Sequence, residues 1–296
     1  MTLELTLLGT GSPSPLPYRG GSSYLLRYDD DYILVDCGPA CVRRILEKGV
    51  PITKINTHLL THLHYDHCVD YSYLILTRWD QGAGKIPELQ VYGPKPIQRM
   101  TQQLFGRDGV WQPDLSARTE HPGSHYMYEA RGGVLPRKWP DPQVTEVGPG
   151  STIQNKHWRV TVAEVAHCQP QLICLAYRME IAGKTIIFGG DTGYTPKLVQ
   201  LAKGADVLIH MCHLVNGVVT DPRIVDCCGG HLDAARTAQE AGVKTLVLTH
   251  ITEQVERPGM RERVIHEVCG VFKGGVIFAQ DLLNVPLEPV SAESLR

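Results

Sequence analysis

Between Thr61 and Cys68 the chain reads His62-Leu63-His64-Tyr65-Asp66-His67, placing three imidazoles and a carboxylate within six consecutive residues. In an extended segment His62, His64 and Asp66 project to one side with period two, and a turn at His67 swings that ring towards a second ion beside the first. Imidazole with carboxylate suits zinc, with manganese or iron as substitutes, whereas the absence of thiolate argues against a closed cysteine-type structural site. The chemistry such donors offer is hydrolytic, because a cation with an open position polarises a substrate oxygen and activates water. The apolar pair Leu59-Leu60 ahead of the loop reads as the end of a buried strand, a common support for a functional loop.

Further donors stand at the ends of apolar runs. His167 follows the strand-like Val160 to Ala166, Asp191 follows Thr185 to Phe188 and two glycines, and His250 follows Leu246 to Thr249. The glycines before Asp191 permit a sharp bend and a close backbone approach, a position that suits a carboxylate shared by two ions. Asp191-Thr192-Gly193 also imitates the active triplet of aspartic proteases. That chemistry needs two carboxylates sharing a proton, and the sequence holds no second Asp-Thr-Gly.

The elements that must position these residues follow from periodicity and turn chemistry. Strands are expected at Leu3–Leu8, Tyr24–Arg27, Tyr32–Asp36, Leu59–Thr61, Leu89–Tyr92, Arg159–Val165, Leu175–Ile181, Thr185–Phe188, Val207–His210 and Thr245–Thr249. Helices are expected at Ala40–Lys48, Asp70–Arg78, Thr195–Ala202, Leu232–Ala241 and Met260–Val271. Gly106 to Gly150 lacks sustained periodicity but holds Trp111, Tyr126, Tyr128 and Trp139. It reads as an irregular insertion, forming either a pocket wall or lid, or a homodimer contact.

The 296 residues, 43% hydrophobic and 20% charged, describe an ordinary globular chain. A net charge of −2 gives no general electrostatic reason to bind nucleic acid, although Arg131, Arg137 and Lys138 form a local basic patch. No secretory signal is read at the start and no apolar run approaches the roughly 18 residues that span a bilayer, so a cytoplasmic location away from membranes is expected. The nine cysteines are scattered and read as reduced. Cys227-Cys228 could bind a metal with His231, but adjacent cysteines read as a poor chelating pair.

Thr61 to His67 resembles the HxHxDH signature of the metallo-β-lactamase superfamily, in its ribonuclease Z-like and arylsulfatase-like branch. The likeness covers nearly the whole chain. It runs through Leu8-Gly9-Thr10-Gly11-Ser12-Pro13, Ile33-Leu34-Val35-Asp36-Cys37-Gly38, Ala166-His167, Phe188-Gly189-Gly190-Asp191-Thr192-Gly193, Gly230-His231-Leu232 and Leu246-Val247-Leu248-Thr249-His250. The resemblance implies an α/β fold, the four-layer αβ/βα sandwich of two mixed sheets with helices outside, as a single domain over 1–296 with the insertion at 106–150. It implies two Zn2+ ions per subunit, with Mn2+ or Fe2+ as alternatives. His62, His64 and His167 would hold one ion, Asp66, His67 and His250 the other, with Asp191 between them. Asp66 and His231 are the expected catalytic residues, His231 lying over the scissile group.

The expected activity is dinuclear metal-dependent hydrolysis of an ester-like bond in a small molecule by metal-bound hydroxide. Ribonuclease Z-type maturation of tRNA 3′ ends is the alternative, and a non-catalytic metal-binding protein on the same fold is a reading of another class. Ribonuclease Z proteins carry glutamate and alanine where Met211 and Cys212 stand, and that glutamate supports the catalytic histidine. This departure, the acidic balance and the lack of a glycine-rich, base-flanked arm favour a small-molecule substrate over nucleic acid.

Overall fold

The computed structural model describes residues 2–287; Met1 and 288–296, the two ends of the expected domain, lie outside the described residues. The first half contributes β1 (Glu4–Gly9), β2 (Ser23–Tyr28), β3 (Asp31–Val35), β4 (Thr57–Leu59), β5 (Gln90–Gly93) and β6 (Gln143–Glu146). The second contributes β7 (Thr152–Gln154), β8 (Trp158–Glu164), β9 (Leu175–Ile181), β10 (Lys184–Phe188), β11 (Val207–Met211), β12 (Thr245–Thr249) and β13 (Gly275–Phe278). A short β14 (Leu283–Asn284) returns to pair with β1. Two seven-stranded sheets result, in the orders β14-β1-β2-β3-β4-β5-β6 and β13-β12-β11-β10-β9-β8-β7.

Each sheet buries both faces, so its central strands are apolar throughout rather than alternating. In the second sheet Ile186, Phe188 and Val247 point into the core between the sheets, while Ile187, Leu246 and Leu248 point towards the outer helices. Leu5, Leu7, Leu26, Ile33 and Val35 answer from the first sheet, whose other face packs on Cys41–Glu47 and Tyr71–Gly82. The helix His231–Ala241 buries Ala234, Ala235, Ala238 and Ala241, small residues at helical spacing that let it lie close to β11 and β12. The layers are therefore helix, sheet, sheet, helix, as the resemblance implies.

The segment 106–150 departs from expectation. Gln112–Glu120 and Pro122–Ala130 are helices, and Gln143–Glu146 extends the first sheet as β6. Each helix has nine residues, too short for a periodic apolar stripe to stand out in sequence. Of their aromatics, Tyr128 is buried, whereas Tyr126 is exposed. The Arg137 guanidinium lies 3.8 Å from the Trp79 ring centroid and 5.0 Å from that of Tyr128. Arg118, Arg131 and Arg137 all bond Asp80, so most of the basic patch is tied to one carboxylate.

β3 to β6 are parallel, as are β10 to β13. Loops leaving the carboxyl ends of parallel strands gather along one rim of a sheet, and ligands bind at such rims. Here the two rims face each other. They are joined by the Leu175 N–H bonding Thr61 O at 2.9 Å, the Tyr177 hydroxyl bonding Leu60 O at 2.5 Å and the Ile251 N–H bonding Thr10 O at 2.9 Å.

One buried histidine on β4 makes a pH prediction. His58 stacks on Tyr71, its Nδ1–H donates to Leu34 O at 3.2 Å, and its Nε2 has no partner. Burial pushes its pKa from 6.5 down to about 4. The unfolded chain takes up this proton near 6.5 and the folded chain only near 4, so stability is lost as pH falls through that window and levels off below it. The shift corresponds to about 3 kcal/mol. His58→Asn, which keeps a donor for Leu34 O, should lose about that much less than the wild type between pH 7 and 4 in urea unfolding. Parallel pH profiles for the two proteins would refute the assignment.

Candidate metal centre

The residues singled out in sequence approach from both rims. Asp36 leaves β3 with a left-handed backbone, φ 55°, and His62 and His64 lie in the loop after β4. Asp66 and His67 sit in a helical turn, Tyr65–Cys68, not in a continuous extended segment. The period-two reading therefore holds for His62 and His64 alone. The turn is pressed against residues 37 and 38: Cys37 N–H bonds His67 O at 2.6 Å, and a Cβ at Gly38 would lie 2.0 Å from Asp66 O. Only glycine permits that approach. From the other sheet, Asp191 follows β10 through Gly190 (φ 61°) and His250 follows β12 with φ 60°. Left-handed backbone at non-glycine Asp36 and His250 is strain of the kind that concentrates at functional sites.

The side chains form two groups that share Asp191. One is His62, His64, His167 and Asp191; the other is Asp66, His67, Asp191 and His250, with the donor atoms of each group within 4.8 Å of one another. His64 Nδ1 lies 3.0 Å from His62 Nε2 and 3.2 Å from His167 Nε2. Asp191 Oδ2 lies 3.9 Å from His62 Nε2, 3.8 Å from His167 Nε2 and 3.0 Å from His250 Nε2, while its Oδ1 is 3.3 Å from His67 Nε2. Asp66 Oδ2 faces His250 Nε2 at 3.2 Å and His67 Nε2 at 3.6 Å. Nitrogen lone pairs crowded this closely suit a cation between them.

The outer ring nitrogens are occupied, which sets the tautomers. His67 Nδ1–H donates to Asp36 Oδ2 at 2.8 Å, and His167 Nδ1–H to Cys227 O at 2.8 Å. The Thr61 hydroxyl donates to Asp36, so its oxygen accepts from His62 Nδ1–H at 3.0 Å. His250 Nδ1 meets His213 Nδ1 at 3.1 Å, and a proton on His250 there leaves its Nε2 lone pair facing the cluster. Asp36 is the functional residue not assigned a role from sequence. Its signal was present, an acidic residue at the end of an apolar strand, the same position that marked Asp191 and His250.

The donor set fits a metal. Asp66 Oδ1 and His67 Nε2 are buried and have no hydrogen-bond partner, whereas buried polar atoms are nearly always paired. Three buried carboxylates also meet here, so positive charge must be supplied. In the metal-free chain protons supply it. Burial opposes ionisation of Asp191, but the His250 and His67 imidazoles beside it outweigh this and hold it well below the usual carboxylate range. His67 is raised despite its burial by Asp191 and Asp36, and His250 is raised to about 9 by Asp191 and Asp66. A cation would take over from those protons.

His231 is not brought into the cluster. Its ring is fully buried at the start of the helix His231–Ala241, with Nε2 2.6 Å from Glu267 Oε2 and Nδ1 accepting the Asn216 N–H at 3.3 Å. The carboxylate that His231 meets comes from the helix Met260–Val271. His210 Nδ1 bonds Met211 O. His213 is half-buried, and its pKa is pushed down to about 4 by burial and by His250. The cluster opens to solvent on the side of Tyr65, His64, His167 and His213.

Comparison with known proteins agrees with this geometry. A family model described as anti-Pycsar protein Apyc1 matches residues 3–221. Ribonuclease Z of Mycobacterium bovis (strain BCG / Pasteur 1173P2) is 32% identical over 97% of this chain and 99% of its own length. Ribonuclease Z of Mycobacterium marinum is 34% identical over 84% of this chain and 86% of its own length. Among solved structures, the metallo-β-lactamase fold protein YhfI from Bacillus subtilis superposes with a TM-score of 0.73 at 22% identity, covering 96% of this chain and 98% of that one. The short form of human tRNase Z gives 0.69 at 20% identity, with 96% and 99% covered. Relatives named ribonuclease Z along almost the full length overturn the expectation that a small-molecule substrate is favoured over nucleic acid. Overall acidity was a poor guide, because net charge says nothing about the potential at one rim. With its sheet order, its shared carboxylate and these relatives, the chain belongs to the anti-Pycsar protein Apyc1 family, in the ribonuclease Z-like branch of the metallo-β-lactamase superfamily of metal-dependent hydrolases.

Proposed function

We propose that this protein is a zinc-dependent phosphodiesterase that cleaves RNA in the manner of its ribonuclease Z relatives, with precursor tRNA as the substrate to test first. The observation that carries the reading is the pair of donor groups joined at Asp191. His62, His64 and His167 would hold one ion and Asp66, His67 and His250 the other, with Asp191 touching both. When bound, two such ions supply Lewis-acid charge to a phosphoryl group and lower the pKa of water.

The protein's own side chains have separate tasks. Asp66, buried among the donors, is the side chain expected to take a proton from the attacking water. His64, His167 and His213 form the open side, where the scissile phosphate is received. The water oxygen forms a bond to phosphorus as one ester P–O bond breaks, and the leaving oxygen takes up a proton, so the products are a hydroxyl end and a phosphomonoester end. His231 enters as a positioning residue: held by Glu267, it anchors Asn216 N–H and hence the loop that follows His213.

Zinc-loaded protein incubated with precursor tRNA bearing a 3′ trailer should release the trailer by a single endonucleolytic cut, and Asp191→Ala should not. Turnover of bis(p-nitrophenyl) phosphate with intact precursor tRNA would keep the phosphodiesterase chemistry and reject the RNA substrate. Turnover of neither would reject both.

A further inference from the structure

A further group of possible metal donors adjoins the cluster at His167. His167, Cys227 and Cys228 present ligand atoms within 4.8 Å of one another, and all three are partly exposed. The sulfurs of Cys227 and Cys228 are 3.9 Å apart. That is too far for a disulfide, whose sulfurs stand about 2.05 Å apart. It does match the edge of a thiolate tetrahedron, about 3.8 Å for metal–sulfur bonds of about 2.3 Å. Adjacent cysteines chelate poorly in an extended chain because their side chains diverge. Here the helical turn Pro222–Val225 precedes them, Cys228 N–H bonds Ile224 O at 2.8 Å, and both sulfurs end on one side. Cys168, next to His167, is also partly exposed and brings a third sulfur to the same neighbourhood.

We propose that Cys227, Cys228 and His167 form a binding site for a thiophilic d10 cation, distinct from the imidazole–carboxylate centre and sharing only His167 with it. Two sulfurs and one imidazole make a soft donor set, against the hard and borderline donors around Asp191. The cation replaces the two thiol protons and the His167 Nδ1–H proton, and all three pass to solvent, because His167 Nε2 faces the first centre and leaves only Nδ1 for the new ion. The remaining coordination is completed by water or by Cys168. Because His167 Nδ1 now donates to Cys227 O, an ion seated on the sulfurs must displace that bond. Occupation of this site therefore disturbs the orientation of His167 towards His64. No metal redox change is involved.

Cadmium is the probe, added to protein already loaded with zinc, and the readout is the ultraviolet thiolate-to-cadmium charge-transfer band. One equivalent should saturate the band in wild-type protein. The double variant Cys227→Ser, Cys228→Ser should lose it, while Cys269→Ser, at an exposed cysteine outside the group, should keep it. Circular dichroism of the double variant checks that it folds. No band in the wild type, or a band of equal size in the folded double variant, overturns the site. Since no RNA is used, the result is independent of whether the chain cleaves tRNA.

Discussion

Asp191→Ala is expected to reduce metal content from about two ions per chain to well below one and to abolish hydrolysis, because among the described residues its carboxylate is the group shared by both donor sets. Oδ2 lies 3.0 Å from His250 Nε2 and Oδ1 3.3 Å from His67 Nε2, while His62 and His167 are within 3.9 Å. The variant leaves these imidazoles facing one another with less negative charge between them. His67 and His250, whose pKa values Asp191 helps to raise, then release their protons at a lower pH in the metal-free protein. Elemental analysis after gel filtration gives the metal content, and the histidine NMR titration gives the second effect. Retention of two ions by the variant would contradict the bridging role.

Asp36→Asn is expected to weaken metal binding by roughly 10- to 100-fold, the usual cost of disturbing a group that orients a ligand. The carboxylate accepts from Thr61 N–H at 2.8 Å, from the Thr61 hydroxyl and from His67 Nδ1–H at 2.8 Å. An amide offers one acceptor oxygen and turns two hydrogens towards groups that also donate. Either His67 loses its anchor or the Thr61 loop does. The left-handed backbone at residue 36 is tolerated by asparagine, so the fold should survive. Competition with a chromophoric zinc chelator measures the affinity, and unchanged affinity would reduce Asp36 to a loop anchor.

The two variants test opposite ends of one problem, how much of this centre could be read before folding. His62, His64, Asp66, His67, His167, Asp191 and His250, which the structure gathers into one cluster, were all picked out in sequence, because donor side chains at the ends of apolar runs are a local signal that needs no knowledge of the partner strand. The strands Leu175–Ile181 and Thr245–Thr249 and the helix Met260–Val271 were readable to the residue because their apolar residues recur at strand or helix spacing. Harder to read were Ile97–Phe105, the two nine-residue helices of 106–150 and the short strands β6, β7, β13 and β14, whose existence depends on what they pack or pair with.

By itself the sequence determined which donor side chains stand at strand ends and in what order, since strand ends and turns are set by local propensity and steric limits. Only the tertiary structure decided the pairings that cross long stretches of chain. Thus Asp36 meets His67 over 31 residues, His167 meets Cys227 O over 60, and Glu267 rather than a neighbour of Met211 meets His231 over 36. Such partners are chosen by which rims the two sheets bring together, and burial of the core between the sheets dictates that choice. Local spacing carries no information about it.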